Sequence, residues 1–107
     1  MTEQPEARLQ RRIREELEEE VGGTWKKIHG EEYQPFMLDL VGCVRGLYFE
    51  LEVKVPGNKA TKRQLARVEE VREEGGVSDV VTSPQEAVKL VREALGRAKR
   101  RGRLRNK

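Results

Sequence analysis

The 107-residue chain has one cysteine, one histidine, one tryptophan, two tyrosines, two phenylalanines and four prolines, and no long apolar run. Cys43 alone rules out an intramolecular disulfide, so a reducing interior is the expected compartment. His29 alone rules out a histidine-rich zinc site, and a thiol mechanism pairing it with Cys43 would lack a third group to orient the base. No apolar stretch approaches the roughly 20 residues of a membrane-spanning helix. Met1 to Gln10 also lack the apolar centre of a signal peptide, so a cytoplasmic, intracellular protein without membrane contact is expected.

What the chain has in quantity is charge. Charged residues make up 38% and hydrophobic residues 36%, enough for one modest core in a chain of this length but not for two. The net charge of +3 conceals an uneven distribution, because Arg97, Lys99, Arg100, Arg101, Arg103, Arg105 and Lys107 crowd the C-terminal stretch. Such a run either screens nucleic-acid phosphates or serves as a disordered, solubilising tail.

Periodicity orders the rest. Leu9, Ile13, Leu17 and Val21 recur every four residues among charged neighbours, which predicts an amphipathic helix over 6–21 closed by Gly22-Gly23. A short strand over 24–29 follows. Phe36 to Val41 reads as a buried strand interrupted by Asp39, with a turn over 42–46. From Leu47 to Val55 apolar residues alternate with Tyr48, Glu50, Glu52 and Lys54, which completes a β-hairpin. Thr61 and Gln64 have the spacing of a capping box and open a helix through Glu74, with Leu65, Val68 and Val71 facing inward. Val77 to Thr82 reads as a strand. Ser83, Pro84 and Glu86 start a last helix whose inner stripe is Ala87, Val88, Val91 and Leu95. The order helix, three strands, helix, strand, helix predicts an α/β fold, a mixed sheet flanked by helices, with the fourth strand parallel to the third.

Asp39 is the first residue that calls for chemistry. An ionised carboxylate within an apolar strand requires a cation, a metal or a bound proton. Glu50, Glu52 and Lys54 share one face of the adjacent strand, so one or more carboxylates can approach Asp39 across the hairpin, with an ammonium two residues beyond Glu52. An oxygen-only donor set suits Mg²⁺ or Mn²⁺, and the reaction it fits is phosphodiester hydrolysis. The bland reading makes Glu50, Glu52 and Lys54 the solvated face of a hairpin. Asp39 tips the balance toward a site.

Asp39 in Met-Leu-Asp-Leu followed by Glu52-Val53-Lys54 resembles the PD-(D/E)XK nucleases, specifically their VRR-NUC branch, related to Holliday-junction resolvases. The likeness runs from about Thr24 to Val91 and takes in Lys27-Ile28-His29-Gly30, Phe49 to Lys54, Thr61, Gln64, Gly75-Gly76 and Val80 to Glu86. It implies a restriction-endonuclease-like αβββαβ core over 1–96 with a basic, flexible tail over 97–107. It further implies Asp39 and Glu52 as carboxylate ligands, the Val53 backbone carbonyl as a further ligand, and Lys54 as the catalytic cation. A first-helix glutamate near the metal also belongs to the pattern. Glu6 has the best context, with Glu15, Glu16 and Glu19 as alternatives. Gln64 matches a recurrent glutamine of the family, although capping alone accounts for it. Leu38 stands where the family usually has proline.

The expected activity is a magnesium- or manganese-dependent DNA endonuclease, structure-selective toward branched DNA, working as a homodimer inside a bacterial or phage-infected cell. The alternative is a nucleic-acid-binding module of the same fold that does not cut. Lys26, Lys27, Lys59, Lys62 and Arg63 flank the proposed centre, and with Arg100 and Arg101 they are the candidate phosphate contacts. Trp25, Tyr33 and Tyr48 either stack on bases or pack the core.

Overall fold

The structure is a computed structural model, and the residues described are 3–28 and 37–106. His29, Gly30, Tyr33 and Phe36, named above, lie outside the described residues, as does Lys107. The elements are α1 (Pro5–Glu20), β1 (Thr24–Lys27), β2 (Leu40–Val44), β3 (Leu47–Val53), α2 (Lys62–Glu73), β4 (Val77–Val81) and α3 (Pro84–Arg100). The four strands form one sheet in the order β1-β2-β3-β4, with β1-β2 and β2-β3 antiparallel and β3-β4 parallel. This is the mixed α/β arrangement that the periodicity predicts.

One face of the sheet is the core. Leu40 and Val44 of β2, Leu47, Phe49, Leu51 and Val53 of β3, and Val81 of β4 meet Ile13 and Leu17 of α1 and Ala87, Val91, Ala94 and Ala98 of α3. Small alanines on α3 let that helix come close to α1, against which it packs. The helix starts follow from their caps. In α2 the Thr61 hydroxyl accepts the Gln64 N–H at 3.1 Å while the Gln64 side-chain oxygen accepts the Thr61 N–H at 2.9 Å. In α3 the Ser83 hydroxyl accepts the Glu86 N–H, and Pro84 occupies the first turn, where its missing N–H is no loss.

The hairpin differs from its expected outline. The second strand is Leu40–Val44, and the turn is only Arg45 and Gly46, both with positive φ as a two-residue turn of the hairpin-forming hand demands. Gly42 is therefore a strand residue. It pairs with Trp25, and a β-carbon at Gly42 would stand 2.3 Å from the indole ring. The glycine admits a tryptophan lying flat across the sheet, tilted against Phe49 with ring centroids 5.3 Å apart. Trp25 and Phe49 are core residues.

Two further expectations change. Leu65 does not face inward: it is 49% exposed, whereas Val68 and Val71 are buried. It sits in the first turn of α2, where no strand of the sheet reaches it. The basic run also folds onto the domain, because residues 97–100 complete α3 and the following segment turns back. The Arg103 N–H bonds the Ala98 carbonyl, Leu104 packs against the core, and Arg45 and Arg105 exchange bonds through Arg105 N–H to the Arg45 carbonyl (2.8 Å) and Arg45 Nε to the Arg105 carbonyl (3.0 Å).

Candidate metal centre

The second face of β3 carries Tyr48, Glu50 and Glu52, and it is not the solvated face that alternation alone allows. Glu50 is fully buried and Glu52 is 3% exposed. Covering helices on both sides of the sheet close over β3, so a carboxylate on either face must find a partner or a bound proton.

Asp39 enters the site one residue before β2. Extending the register beyond Leu40 and Leu51 sets Asp39 opposite Glu52. Its backbone carbonyl accepts the Ile28 N–H at 2.8 Å, and its Oδ2 accepts the Val53 N–H at 2.9 Å. One carboxylate oxygen is thus tied to the strand, and the carboxylate lies against that of Glu52. Glu6, in the first turn of α1, completes the group: Glu6, Asp39 and Glu52 each present an oxygen within 4.8 Å of the others, the one such acidic cluster among the described residues. Three elements far apart in sequence converge here, and Glu6 is the first-helix glutamate that does so. Glu15, by contrast, pairs with Arg11.

The electrostatics are out of balance. Lys54 Nζ lies 3.5 Å from Glu52 Oε2, one ammonium beside three carboxylates. Burial and the neighbouring Asp39 push Glu52 up to about 8, with Lys54 only partly offsetting them. A group of carboxylate oxygens this close together could hold a metal ion, whose charge would remove that imbalance.

The remaining expected residues are placed differently. Gln64 has its side-chain oxygen committed to the α2 cap. Lys59, Lys62 and Arg63 are exposed on the segment leading from Lys54 into α2, and Lys26 is exposed on β1. Lys27 pairs with Leu40 beside the Asp39 segment. Arg100 and Arg101 are not brought to the cluster: α3 begins at Pro84, just past the site end of β4, and its 17 residues carry them roughly 25 Å away. Tyr48 is 37% exposed, and its hydroxyl donates to Glu50, with burial and that carboxylate raising it to about 12.

Arg67 escaped the sequence reading. From α2 it grips Glu50 with Nε to Oε2 at 2.7 Å and Nη2 to Oε1 at 2.8 Å. Burial pushes Glu50 up, but the bonds from Arg67, Tyr48 and the Leu38 N–H outweigh it and hold the carboxyl below its ordinary value. A clue was present: an acid on a strand predicted to be covered by helices needs a cation, and Arg67 lies one helical turn before the inward-facing Val71.

A mixed four-stranded sheet flanked by helices thus carries a carboxylate cluster and a lysine at the end of its hairpin. Among solved structures the chain is similar to one titled "VRR_NUC domain", at 30% identity and a TM-score of 0.66, the match covering 81% of this chain and 94% of that one. The chain belongs to the VRR-NUC branch of the PD-(D/E)XK nucleases. No family model and no curated protein matches it. No helix among the described residues is long and apolar enough to cross a membrane.

Proposed function

We propose that this protein is a divalent-metal-dependent DNA endonuclease. The observation that carries the reading is the convergence of Glu6, Asp39 and Glu52 within 4.8 Å, with Lys54 3.5 Å from Glu52, in a chain of nuclease fold. In this reading Asp39, Glu52 and Glu6 hold Mg²⁺ or Mn²⁺ through carboxylate oxygens and Val53 through its carbonyl. The ion, when bound, supplies a water of lowered pKa and positive charge at the scissile phosphate.

The residues themselves have defined tasks. The Val53 N–H holds Asp39 in orientation. Lys54, partly buried beside Glu52, orients the attacking water and offsets charge on the phosphorane-like transition state. The Gln64 amide nitrogen, free of the cap bond that its oxygen makes, serves the same face. Lys26, Lys27, Lys59, Lys62 and Arg63 contact backbone phosphates near the site, while Arg100 and Arg101 add affinity at a distance. One centre per chain makes a twofold dimer the economical way to cut two strands, and branched DNA the first substrate to offer.

The test is cleavage of labelled four-way junction, flap and linear duplex DNA in Mg²⁺, Mn²⁺ or EDTA by wild type and Asp39→Asn. Cutting that needs the metal and vanishes in the variant supports the reading and ranks the substrates. Tight binding with no cutting in either metal would leave a non-catalytic nucleic-acid-binding module in its place.

A further inference from the structure

Glu50 has no access to solvent, yet it does not join the acidic cluster two residues away on the same strand. Its two oxygens accept four hydrogen bonds: Arg67 Nε (2.7 Å) and the Leu38 backbone N–H (3.0 Å) on Oε2, and Arg67 Nη2 (2.8 Å) and the Tyr48 hydroxyl (2.5 Å) on Oε1. The bond to Leu38 gives this network a consequence for chemistry. Leu38 is the residue before Asp39, and Asp39 in turn accepts the Val53 N–H. A continuous path therefore runs from α2 through Arg67, Glu50 and the Leu38 peptide to the Asp39 carboxylate and back to β3.

We propose that Glu50, clamped by Arg67, is a positioning residue for the metal centre, holding the Leu38 peptide so that the Asp39 carboxylate stands opposite Glu52. The inference rests on the metal-nuclease reading and adds residues that the Asp39, Glu52 and Lys54 pattern does not contain. Two features of the geometry support it. Leu38 supplies an N–H that a proline could not, and that N–H is spent on Glu50 alone. The neighbouring Asp39 backbone carbonyl is fixed by Ile28, so the short segment is held on both sides, from the residue after β1 and from β3. Partners that orient metal ligands from outside the coordination sphere commonly change metal affinity or activity 10–100-fold when removed.

A purely structural role would instead make the pair a fastening of α2 to the sheet. That role predicts lower stability and an unchanged metal site in whatever fraction stays folded. Glu50→Gln separates the two, because a glutamine has one acceptor oxygen and cannot serve both Leu38 and the Arg67 fork. Arg67→Lys is the milder second variant, retaining the charge but losing the two-pronged grip.

The experiment measures Mn²⁺ affinity by calorimetry, and amide exchange at Leu38 and Val53 by NMR in the metal-free full chain, for wild type, Glu50→Gln and Arg67→Lys. The expected result is Mn²⁺ affinity about 10–100-fold weaker in Glu50→Gln and less so in Arg67→Lys, with faster exchange at both amides. A folded Glu50→Gln with wild-type Mn²⁺ affinity and wild-type Val53 exchange overturns the positioning role and leaves the nuclease reading intact. Mn²⁺ binding that is weakened in the variant, in a wild type that cuts no DNA, supports the positioning role and ends the nuclease reading. A wild type that takes up no Mn²⁺ overturns both.

Discussion

Glu50 and Glu52 are the same residue type, two positions apart on one face of β3, and both are almost wholly buried. Their surroundings push them in opposite directions. Glu50 meets a guanidinium, a phenol and a backbone N–H, and its carboxyl is held below the ordinary value. Glu52 meets burial, a second carboxylate and a single lysine, and is pushed up to about 8. A carboxylate whose partners come from its own protein is complete, whereas one whose nearest neighbours are other carboxylates calls for a cation from outside. Two positions on one strand face thus separate a carboxylate satisfied from within the chain from one in a cluster that could hold a metal ion.

The largest expected effect breaks the incomplete end. Removing the Lys54 ammonium by Lys54→Ala should lower kcat by about 10²–10³-fold, as does the loss of other groups that stabilise transition-state charge, with DNA affinity little changed. Single-turnover cleavage beside a binding titration checks this. At the complete end, Arg67→Ala leaves Glu50 buried without its cation. A loss of about 3 kcal/mol is expected in urea unfolding, at the low end of the range for broken buried pairs because Arg67 keeps some solvent access.

Metal sharpens the contrast further. Mn²⁺ at a hundred times its Kd should stabilise wild type by about 2.7 kcal/mol and Glu52→Gln by much less, read as a rise in melting temperature that EDTA reverses. pH should act on the two glutamates with opposite sign. With its pKa raised from 4.5 to about 8, Glu52 makes the folded state hold more protons than the unfolded state between those values. Metal-free stability should therefore fall as pH rises through that window, and Glu52→Gln should flatten the fall. Glu50, with its pKa lowered, contributes stability that is present above the ordinary carboxylate pKa and lost as pH falls through its folded value. Melting temperatures of the two glutamine variants across pH distinguish these slopes. The smallest effect tests a feature remote from the comparison: Thr61→Ala should cost about 1 kcal/mol by removing one half of the α2 capping box, with cleavage unaltered.

Local features of this fold are legible in the sequence and long-range ones are not. The alternation in β3, the Thr61 and Gln64 box and the Ser83-Pro84 start mark their elements because each depends on neighbours within a few positions. Asp39 announces the site because a carboxylate in an apolar run has few ways to be tolerated. Gly42 misleads because its role is set by Trp25, seventeen positions earlier on another strand, and a glycine that makes room for a ring looks the same in sequence as one that makes a turn. Arg67 is hidden for the same reason: its partner is 17 positions away and in a different element. Leu65 shows the limit of periodicity, since the helical stripe continues past the end of the surface that buries it. The docking of Arg103, Leu104 and Arg105 has no periodic signal at all and depends on bonds to the Ala98 carbonyl at the end of α3 and to the Arg45 carbonyl in the hairpin turn.

On the proposed function, the incomplete end of β3 becomes a catalyst when it acquires a metal ion. The most direct measurement is cleavage of one labelled branched DNA by wild type and Lys54→Ala, at matched DNA occupancy, as Mg²⁺ is titrated from zero. Saturable, metal-dependent cutting in wild type, nearly absent in Lys54→Ala at every Mg²⁺ concentration, is the predicted result. Equal cutting by the two proteins, or none by wild type at full occupancy in Mg²⁺ or Mn²⁺, would contradict it.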